Sequence, residues 1–222
     1  MANSYHIEPV GEPASLKDKA YQTLKDAILT LKLGPGTPLV ETVLAKELGI
    51  SKTPVRDALQ ELEREGFVTR VLFRGTYVTE LNFKDLQEIF QLRAVLEGLA
   101  TRLAAPLLTS QQLEQIEQKL TAAEAALAEG DLARCSELGR YLHDAVIENC
   151  ANQRLILINR NLDDHMQRFR LTSDQIRGRL NKSLVEHRRI LDGLRRGDPA
   201  AAEQAMREHL SSVLQDLSVS SE

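Results

Sequence analysis

Tryptophan is absent from the 222 residues, and the aromatic share is only 4%. So small a supply disfavours a β-sandwich, whose core leans on aromatic and β-branched side chains, and suits Leu- and Ala-rich helix packing. Cysteine is scarce too: Cys135 and Cys150 are the only two. Both fall in a stretch that reads as one helix, where about fifteen residues would hold them roughly 22 Å apart. No disulfide is expected between them within one chain, and a reducing cytoplasm is the simplest compartment. Long apolar runs are missing. The longest, Leu155-Ile156-Leu157-Ile158, stops at Asn159 and Arg160, far short of the ~18 residues a membrane helix needs. The first residues, including His6, Glu8 and Glu12, lack the apolar centre of a secretory signal. Excess positive charge is lacking as well. With a net charge of −4, any DNA contact must come from a local basic patch rather than from a basic protein.

What is present is helical periodicity with one interruption. Residues 1–14 are polar, contain Pro and Gly, and read as a flexible N-terminal arm. Leu16, Ala20, Leu24, Ala27, Ile28 and Leu31 form an apolar helical stripe that Gly34-Pro35-Gly36-Thr37-Pro38 should end. Two short helical patterns follow, over about 41–48 and 54–65, with Gly49 to Thr53 between them. The period then changes. Segments 67–72 and 76–81 are rich in β-branched residues and flank Phe73-Arg74-Gly75, which predicts a small hairpin. From Asn82 onward helix follows helix, with starts expected at Asn82, Thr109 or Ser110, Asp131, Asn152, Ser173 and Asp198, all good N-cap types. The chain is therefore expected to be mainly α. A winged helix-turn-helix over 15–81 precedes an all-α bundle of six or seven helices over 82–222.

The helix pair around Gly49 carries a DNA-reading pattern. A helix-turn-helix needs a small residue where its helices cross, a turn residue tolerating positive φ, and apolar residues joining the pair. Ala45 lies four residues before Gly49, and Leu44, Leu48, Ile50, Val55 and Ala58 occupy the apolar positions. Val55, Ala58, Leu59 and Leu62 make the core stripe of the second helix. Thr53 reads as its N-cap and Pro54 as its first helical residue. Ser51, Lys52, Thr53, Arg56 and Gln60 are then left at the exposed N-terminal end, the part that enters the major groove in such motifs. Lys52 and the hydroxyls suit phosphate contacts, and Arg56 suits bidentate reading of guanine. Arg74 and Gly75 would form the tip of a wing. A plainer reading is a helical hairpin on which Arg56 is only a solvated charge. Asp57, Glu61, Glu63 and Glu65 make the later part of the helix acidic, so contacts are expected from its first two turns.

The run 44–59, Leu-Ala-Lys-Glu-Leu-Gly-Ile-Ser-Lys-Thr-Pro-Val-Arg-Asp-Ala-Leu, with Glu65-Gly66-Phe67-Val68 and Arg74-Gly75-Thr76-Tyr77-Val78 after it, resembles the GntR family of transcriptional regulators. The resemblance implies contacts to double-stranded DNA from Ser51, Lys52, Thr53, Arg56 and the wing at Gly75. It also implies a homodimer on a palindromic operator. One departure is Thr42, where family members usually carry Arg.

Four of the five histidines fall in the helical part: His143, His165, His187 and His209. The plain reading of a lone helical histidine is a packed core or surface residue. Arg195-Arg196-Gly197-Asp198-Pro199, however, reads as a tight turn between antiparallel helices. His187 lies about nine residues before it and His209 about ten after its start, roughly 14 and 15 Å of helix. The two therefore share one height and could hold the same ion. His143 could add a third imidazole, a set that suits zinc, nickel or a similar divalent metal.

Arg93-Ala94-Val95-Leu96-Glu97, Leu142-His143, Asn152, Glu186-His187-Arg188 and Met206-Arg207-Glu208-His209-Leu210 are similar to signatures of the FadR-type C-terminal (FCD) domain. That resemblance implies an all-α domain with a central cavity. In metal-binding members it also implies an ion held by an aspartate and three histidines, which here match His143, His187 and His209. The aspartate position is Gly139, which brings no ligand atom and costs a helix about 1 kcal/mol relative to alanine. Three readings stay open. The histidines hold a metal with water or the effector's carboxylate in the open position; His165 or Glu137 substitutes; or the imidazoles bind the effector directly. Arg93 is a candidate carboxylate clamp, against an i+4 ion pair with Glu97. Arg168 and Arg170 read as a solvated basic face or as further cavity residues.

The sequence thus points to a cytoplasmic repressor released from DNA by a small organic or sugar acid; the alternative is a metal-responsive regulator with no organic effector. A metal-dependent hydrolase is the enzymatic rival, but no carboxylate stands out as a general base. The reading is that the chain is not an enzyme.

Overall fold

The computed structural model describes residues 15–173 and 178–219; the arm assigned to 1–14 lies outside them. The chain divides into two compact units between Glu80 and Leu81. Leu81, expected at the end of the first module, packs against the core of the second.

The first unit has α1 (Leu16–Leu29), α2 (Glu41–Leu48), α3 (Lys52–Arg64) and the antiparallel strands β1 (Val68–Val71) and β2 (Gly75–Val78). Ser15 and Asp18 close a reciprocal capping box at the start of α1. This helix ends at Leu29, short of the Gly34–Pro38 run expected to stop it, because Leu31 takes a positive φ ahead of that run. The segment after it returns along β2 through Gly36 N–H to Val78 O and Leu39 N–H to Thr76 O, at 2.9 and 2.8 Å. One side of the hairpin is thereby covered.

Gly49 supplies the left-handed residue of the helix-turn-helix, with φ 67°. Its N–H donates to Lys46 O and that of Ile50 to Ala45 O, the paired bonds of a Schellman turn. So tight a turn leaves only Ile50 and Ser51 before α3. The N-cap is therefore Ser51, not Thr53, and Pro54 sits at the third helical position. Proline costs no hydrogen bond there, because the first amides of a helix have no intrahelical acceptor. The hairpin is shorter than expected, pairing Val68 with Val78 and Val71 with Gly75 around Leu72-Phe73-Arg74. Ile28, Val55, Ala58, Leu62 and Phe67 lie in one buried core. The unit is a winged helix-turn-helix.

The second unit contains six helices among the described residues: α4 (Phe83–Ala104), α5 (Ser110–Ala128), α6 (Leu132–Glu148), α7 (Gln153–Ser173), α8 (Arg179–Arg195) and α9 (Pro199–Val219). Asn82, Thr109 and Asp131 cap their helices through side-chain oxygens, and Asn152 accepts from Leu155 N–H. Ser173 does not start a helix: α7 runs to it, and α8 begins at Arg179 after Gly178. Cys150 lies beyond the end of α6, so the two cysteines do not share a helix; both are buried and reduced. Helix α9 packs on α4 and α8, while α6 packs on α4, α5, α7 and α8. Phe90, Ile116, Leu120, Leu142, Ile190, Leu194 and Met206 belong to the common core.

The α8–α9 turn places Gly197 at φ 62° and returns Asp198 N–H to Gly193 O. One turn inward the two helices touch backbone to backbone. A Cβ on Gly193 would come within 2.9 Å of Ala202 N and Cα, with no flexible side chain to yield. Gly193→Ala should therefore lower stability by about 1–3 kcal/mol, despite alanine's better helix propensity. Thermal unfolding of the purified variant checks this, and an unchanged or raised midpoint would contradict the close approach.

Candidate DNA-reading helix and histidine centre

All the residues assigned to DNA contact are exposed within the first unit: Ser51, Lys52, Thr53, Arg56 and Gln60 on or beside α3, and Arg74 and Gly75 at the wing. The acidic end of α3 is directed elsewhere. Glu61 pairs with Lys17, and Glu65 accepts from Tyr21 Oη and Lys25 Nζ on α1 at 2.7 and 2.9 Å. One partner was not anticipated. Arg56 donates from Nε and Nη2 to the Glu41 carboxylate, with Nη2 to Oε2 at 2.8 Å. This fork holds Glu41 below the usual carboxylate range.

In the second unit His143 on α6, His187 on α8 and His209 on α9 converge. His143 Nε2 lies 3.1 Å from His187 Nε2, which lies 3.3 Å from His209 Nε2. All three residues are buried. They line a cavity of about 110 Å³ with Phe90, Arg93, Gly139 and Arg179. The hairpin-height argument places His187 and His209 together as expected. His165 and Glu137 stand outside the cluster, which among the described residues comprises these three side chains alone.

The outer nitrogens explain the orientation. His143 Nδ1 is 2.6 Å from Glu97 Oε2, and His209 Nδ1 is 2.7 Å from Glu186 Oε2. Burial opposes ionisation of Glu97, yet Arg93 and His143 hold its pKa at about 2. Burial likewise opposes that of Glu186, while hydrogen bonds from His209 and Ser212, with Arg179 nearby, hold it at about 2. An ionised carboxylate only accepts, so each Nδ1 carries a proton, and in its neutral form each of these rings presents the Nε2 lone pair inward. His187 can then donate to only one of its two neighbours. A centre with more lone pairs than protons suits a cation, and about 3.3 Å is the nitrogen separation expected of tetrahedral bonds near 2.0–2.1 Å. The three residues therefore fit a divalent metal. Carboxylates on the Nδ1 side orient imidazoles; they do not face the centre as a general base would.

Glu97 and Glu186 are the functional residues that sequence reasoning left without this role. Each had a local trace, Glu97 as an i+4 partner of Arg93 and Glu186 as a neighbour of His187, but their imidazole partners lie on other helices. Arg93 is itself in the i+4 ion pair, its Nε donating to Glu97 Oε1 at 2.7 Å. Arg168 is fully buried, which excludes the solvated face; the Arg170 side chain lies outside the described residues. Gly139 stands one turn before His143 and lines the cavity, where a Cβ would meet His187 Cε1 and Nδ1 at 3.6 Å.

A winged helix-turn-helix followed by an all-α domain with a histidine-lined cavity defines a two-domain DNA-binding regulator. The chain belongs to the GntR family: residues 16–78 match "Bacterial regulatory proteins, gntR family" and residues 88–212 match the FCD domain. It is similar to the uncharacterized HTH-type transcriptional regulator YdhC of Bacillus subtilis (strain 168), 29% identical over 88% of this chain and 91% of that one. The probable D-xylose utilization operon transcriptional repressor of Paenarthrobacter nicotinovorans is 32% identical over 82% of this chain and 80% of that one. The fold is also that of E. coli McbR/YncC, with a TM-score of 0.72 at 24% identity over 95% of this chain and 100% of that one. The protein is a transcriptional regulator, not an enzyme. No described helix is long and apolar enough to cross a membrane.

Burial, reinforced by the neighbouring positive groups, pushes the His187 pKa well below 6.5. Burial also lowers His209, to about 4 although Glu186 opposes the shift. Unfolded imidazoles take up protons near pH 6.5, which the folded metal-free protein resists. Stability present above about pH 6.5 is therefore lost as pH falls toward about 4. Urea midpoints of metal-free protein should decline between about pH 7 and pH 5; a flat profile there would contradict the neutral, buried pair.

Proposed function

We propose that the protein is a homodimeric, ligand-responsive repressor that leaves its operator when a small carboxylic or sugar acid enters the histidine-lined cavity. The convergence of three Nε2 atoms, two of them on rings ordered by the carboxylates of Glu97 and Glu186, is the observation that carries this reading. His143, His187 and His209 would hold a zinc- or nickel-class ion, which supplies a Lewis-acidic point for an anionic ligand. Arg93 lines the same cavity and adds positive charge beside Glu97. Gly139, where the metal-binding relatives' aspartate would stand, brings no ligand atom, so the ligand's own carboxylate would supply the fourth donor.

Helices α4 and α7 offer a surface for the second copy. Leu92, Val95 and Leu99 recur at three- and four-residue spacing on α4, and Leu157 and Ile158 lie on α7; all are exposed. Such an apolar stripe on two helices that pack together suits burial against its own copy. The dimer would set the distance between two α3 helices on adjacent half-sites of a palindromic operator. A ligand weakens DNA binding only through its different affinity for the two arrangements.

Two measurements test this reading. Arg56→Ala should weaken specific operator binding about ten- to hundredfold, without changing the melting temperature appreciably. Unchanged binding would remove Arg56 from the recognition surface. Metal analysis of purified protein should find close to one zinc or nickel per chain, and a chelator should lower the melting temperature. His209→Ala should abolish both effects. Stoichiometric metal that controls DNA affinity without any organic acid would favour a pure metal sensor instead.

A further inference from the structure

The tip of the wing carries an apolar cluster that the first unit does not bury. Val71, Leu72 and Phe73 are all exposed, Leu72 at 77% and Phe73 at 98%, and none belongs to the core of the unit. Phe73 also holds an unfavourable backbone, with φ 61°. Arg74 N–H donates to Val71 O at 3.0 Å, closing a β-turn with Phe73 at its third position. Glycine or asparagine ordinarily fills such a place, and a bulky residue in the left-handed region is uncommon. Here no packing within the unit offsets that conformation. The tip is nonetheless held firmly: Val71 pairs with Gly75, and Tyr77 Oη donates to Arg74 O at 2.9 Å. An aromatic ring is thus fixed on a braced turn and pointed into solvent.

Cations surround the cluster. Arg70 precedes it and Arg74 follows it, and both are exposed. Arg70 lies 3.9 Å from Glu63, which ties β1 to α3. Arg70 and Lys52 also act electrostatically on Glu41, the carboxylate held by Arg56. The strand leading to the tip therefore runs on the same side as the exposed start of α3. Guanidiniums on both sides of an apolar tip favour a polyanion over an apolar protein surface, and the shared side favours DNA.

We infer that Phe73, supported by Leu72, is a wedge that enters the minor groove and parts two base pairs, while Arg70 and Arg74 meet the flanking phosphates. The inference rests on the reading that α3 occupies the major groove, and it adds a contact that reads deformability instead of base edges. A phenyl ring has neither donor nor acceptor, so it cannot read the hydrogen-bond pattern of either groove. It can sense how easily two base pairs separate. Pyrimidine–purine steps such as TA and CA unstack most readily, and Phe and Leu are among the side chains that proteins insert at such steps. The minor groove, about 6 Å wide, is too narrow for a helix but admits a hairpin tip. Phe73 is then a specificity-determining residue for a position that α3 does not touch.

The test enriches duplexes from a library of random DNA with full-length protein, in parallel for wild type, Phe73→Ala, Phe73→Leu and Arg56→Ala. Wild type should enrich a motif accompanied by a pyrimidine–purine step at a fixed distance. Phe73→Ala should keep the melting temperature and enrich the same motif without the step, whereas Phe73→Leu should retain both. Phe73→Ala should also bind the wild-type duplex about tenfold more weakly. With 2-aminopurine placed at the step, fluorescence should rise with wild type and Phe73→Leu but not with Phe73→Ala. Arg56→Ala should alter the motif instead. If Phe73→Ala enriches motif and step as wild type does, or if 2-aminopurine stays dim with wild type, the wedge is overturned and the α3 reading stands. If Arg56→Ala leaves the motif intact while Phe73→Ala loses the step, Arg56 is not the reader and the wedge stands. If wild type enriches nothing, both readings fail.

Discussion

Two carboxylates in the second unit, Glu97 buried and Glu186 partly buried, stand where desolvation alone would favour their neutral forms, and the central geometry depends on their remaining charged. Glu97, 1% exposed, is held ionised by Arg93 on its own helix and by His143 on α6. Glu186 on α8 is held by His209 and Ser212 on α9 and by Arg179. Each charge then dictates which nitrogen of its imidazole bears the proton, and so where the remaining lone pair points. Removing one partner from such a set leaves an unpaired charge inside the protein, a loss of about 3–5 kcal/mol in comparable buried pairs. The centre is thus a clamp between helices as well as the site proposed for the ligand. It ties α4, α6, α8 and α9 to one point through side chains that cannot be rearranged singly.

The proposed function would use both roles. A ligand changes an equilibrium only by what it gains in one arrangement over the other, and couplings of about 1–3 kcal/mol are typical. One charge-assisted hydrogen bond is of that size. A ligand that binds where four helices meet can therefore bias their arrangement with a single well-placed contact, provided the contact exists in only one of the states. An apolar pocket of the same volume, lined by interchangeable leucines, would bind without favouring either arrangement so sharply.

The sequence was informative where the chemistry is local. Capping residues at Asn82, Thr109 and Asp131 are legible because a side-chain oxygen reaches an amide three residues on, and the Gly197-Asp198-Pro199 turn set His187 and His209 at equal height. It was less informative where two local signals compete. Thr53-Pro54 resembles a better helix start than Ser51-Lys52, yet the Schellman turn at Gly49 leaves no room for the longer loop. Ser173 has the chemistry of a cap but belongs to α7. The carboxylates were the hardest to read. Glu97 finds His143 forty-six residues away, a pairing that no helical period encodes and that Arg93, the local partner, conceals. The arginine expected to clamp a ligand spends its Nε on the residue that orders the histidine centre.

A similar economy operates at the other end of the chain. The fork between Arg56 and Glu41 could be read as competition with DNA, since the arginine is occupied before any base arrives. Its geometry argues otherwise. Glu41 takes the Nε and Nη2 edge of a planar guanidinium, and reading guanine through O6 and N7 also needs only one edge of that plane. An arginine gripped on one edge loses rotamer freedom before binding rather than during it, which lowers the entropic cost of recognition. Lysine could not substitute, because a point charge has no second edge. The neighbour of Glu41 is Thr42, where the resemblance led one to expect a second arginine. On the proposed reading, one cation fewer at the start of α2 would shift a larger share of base reading to Arg56, and the carboxylate that orients it would belong to the recognition surface.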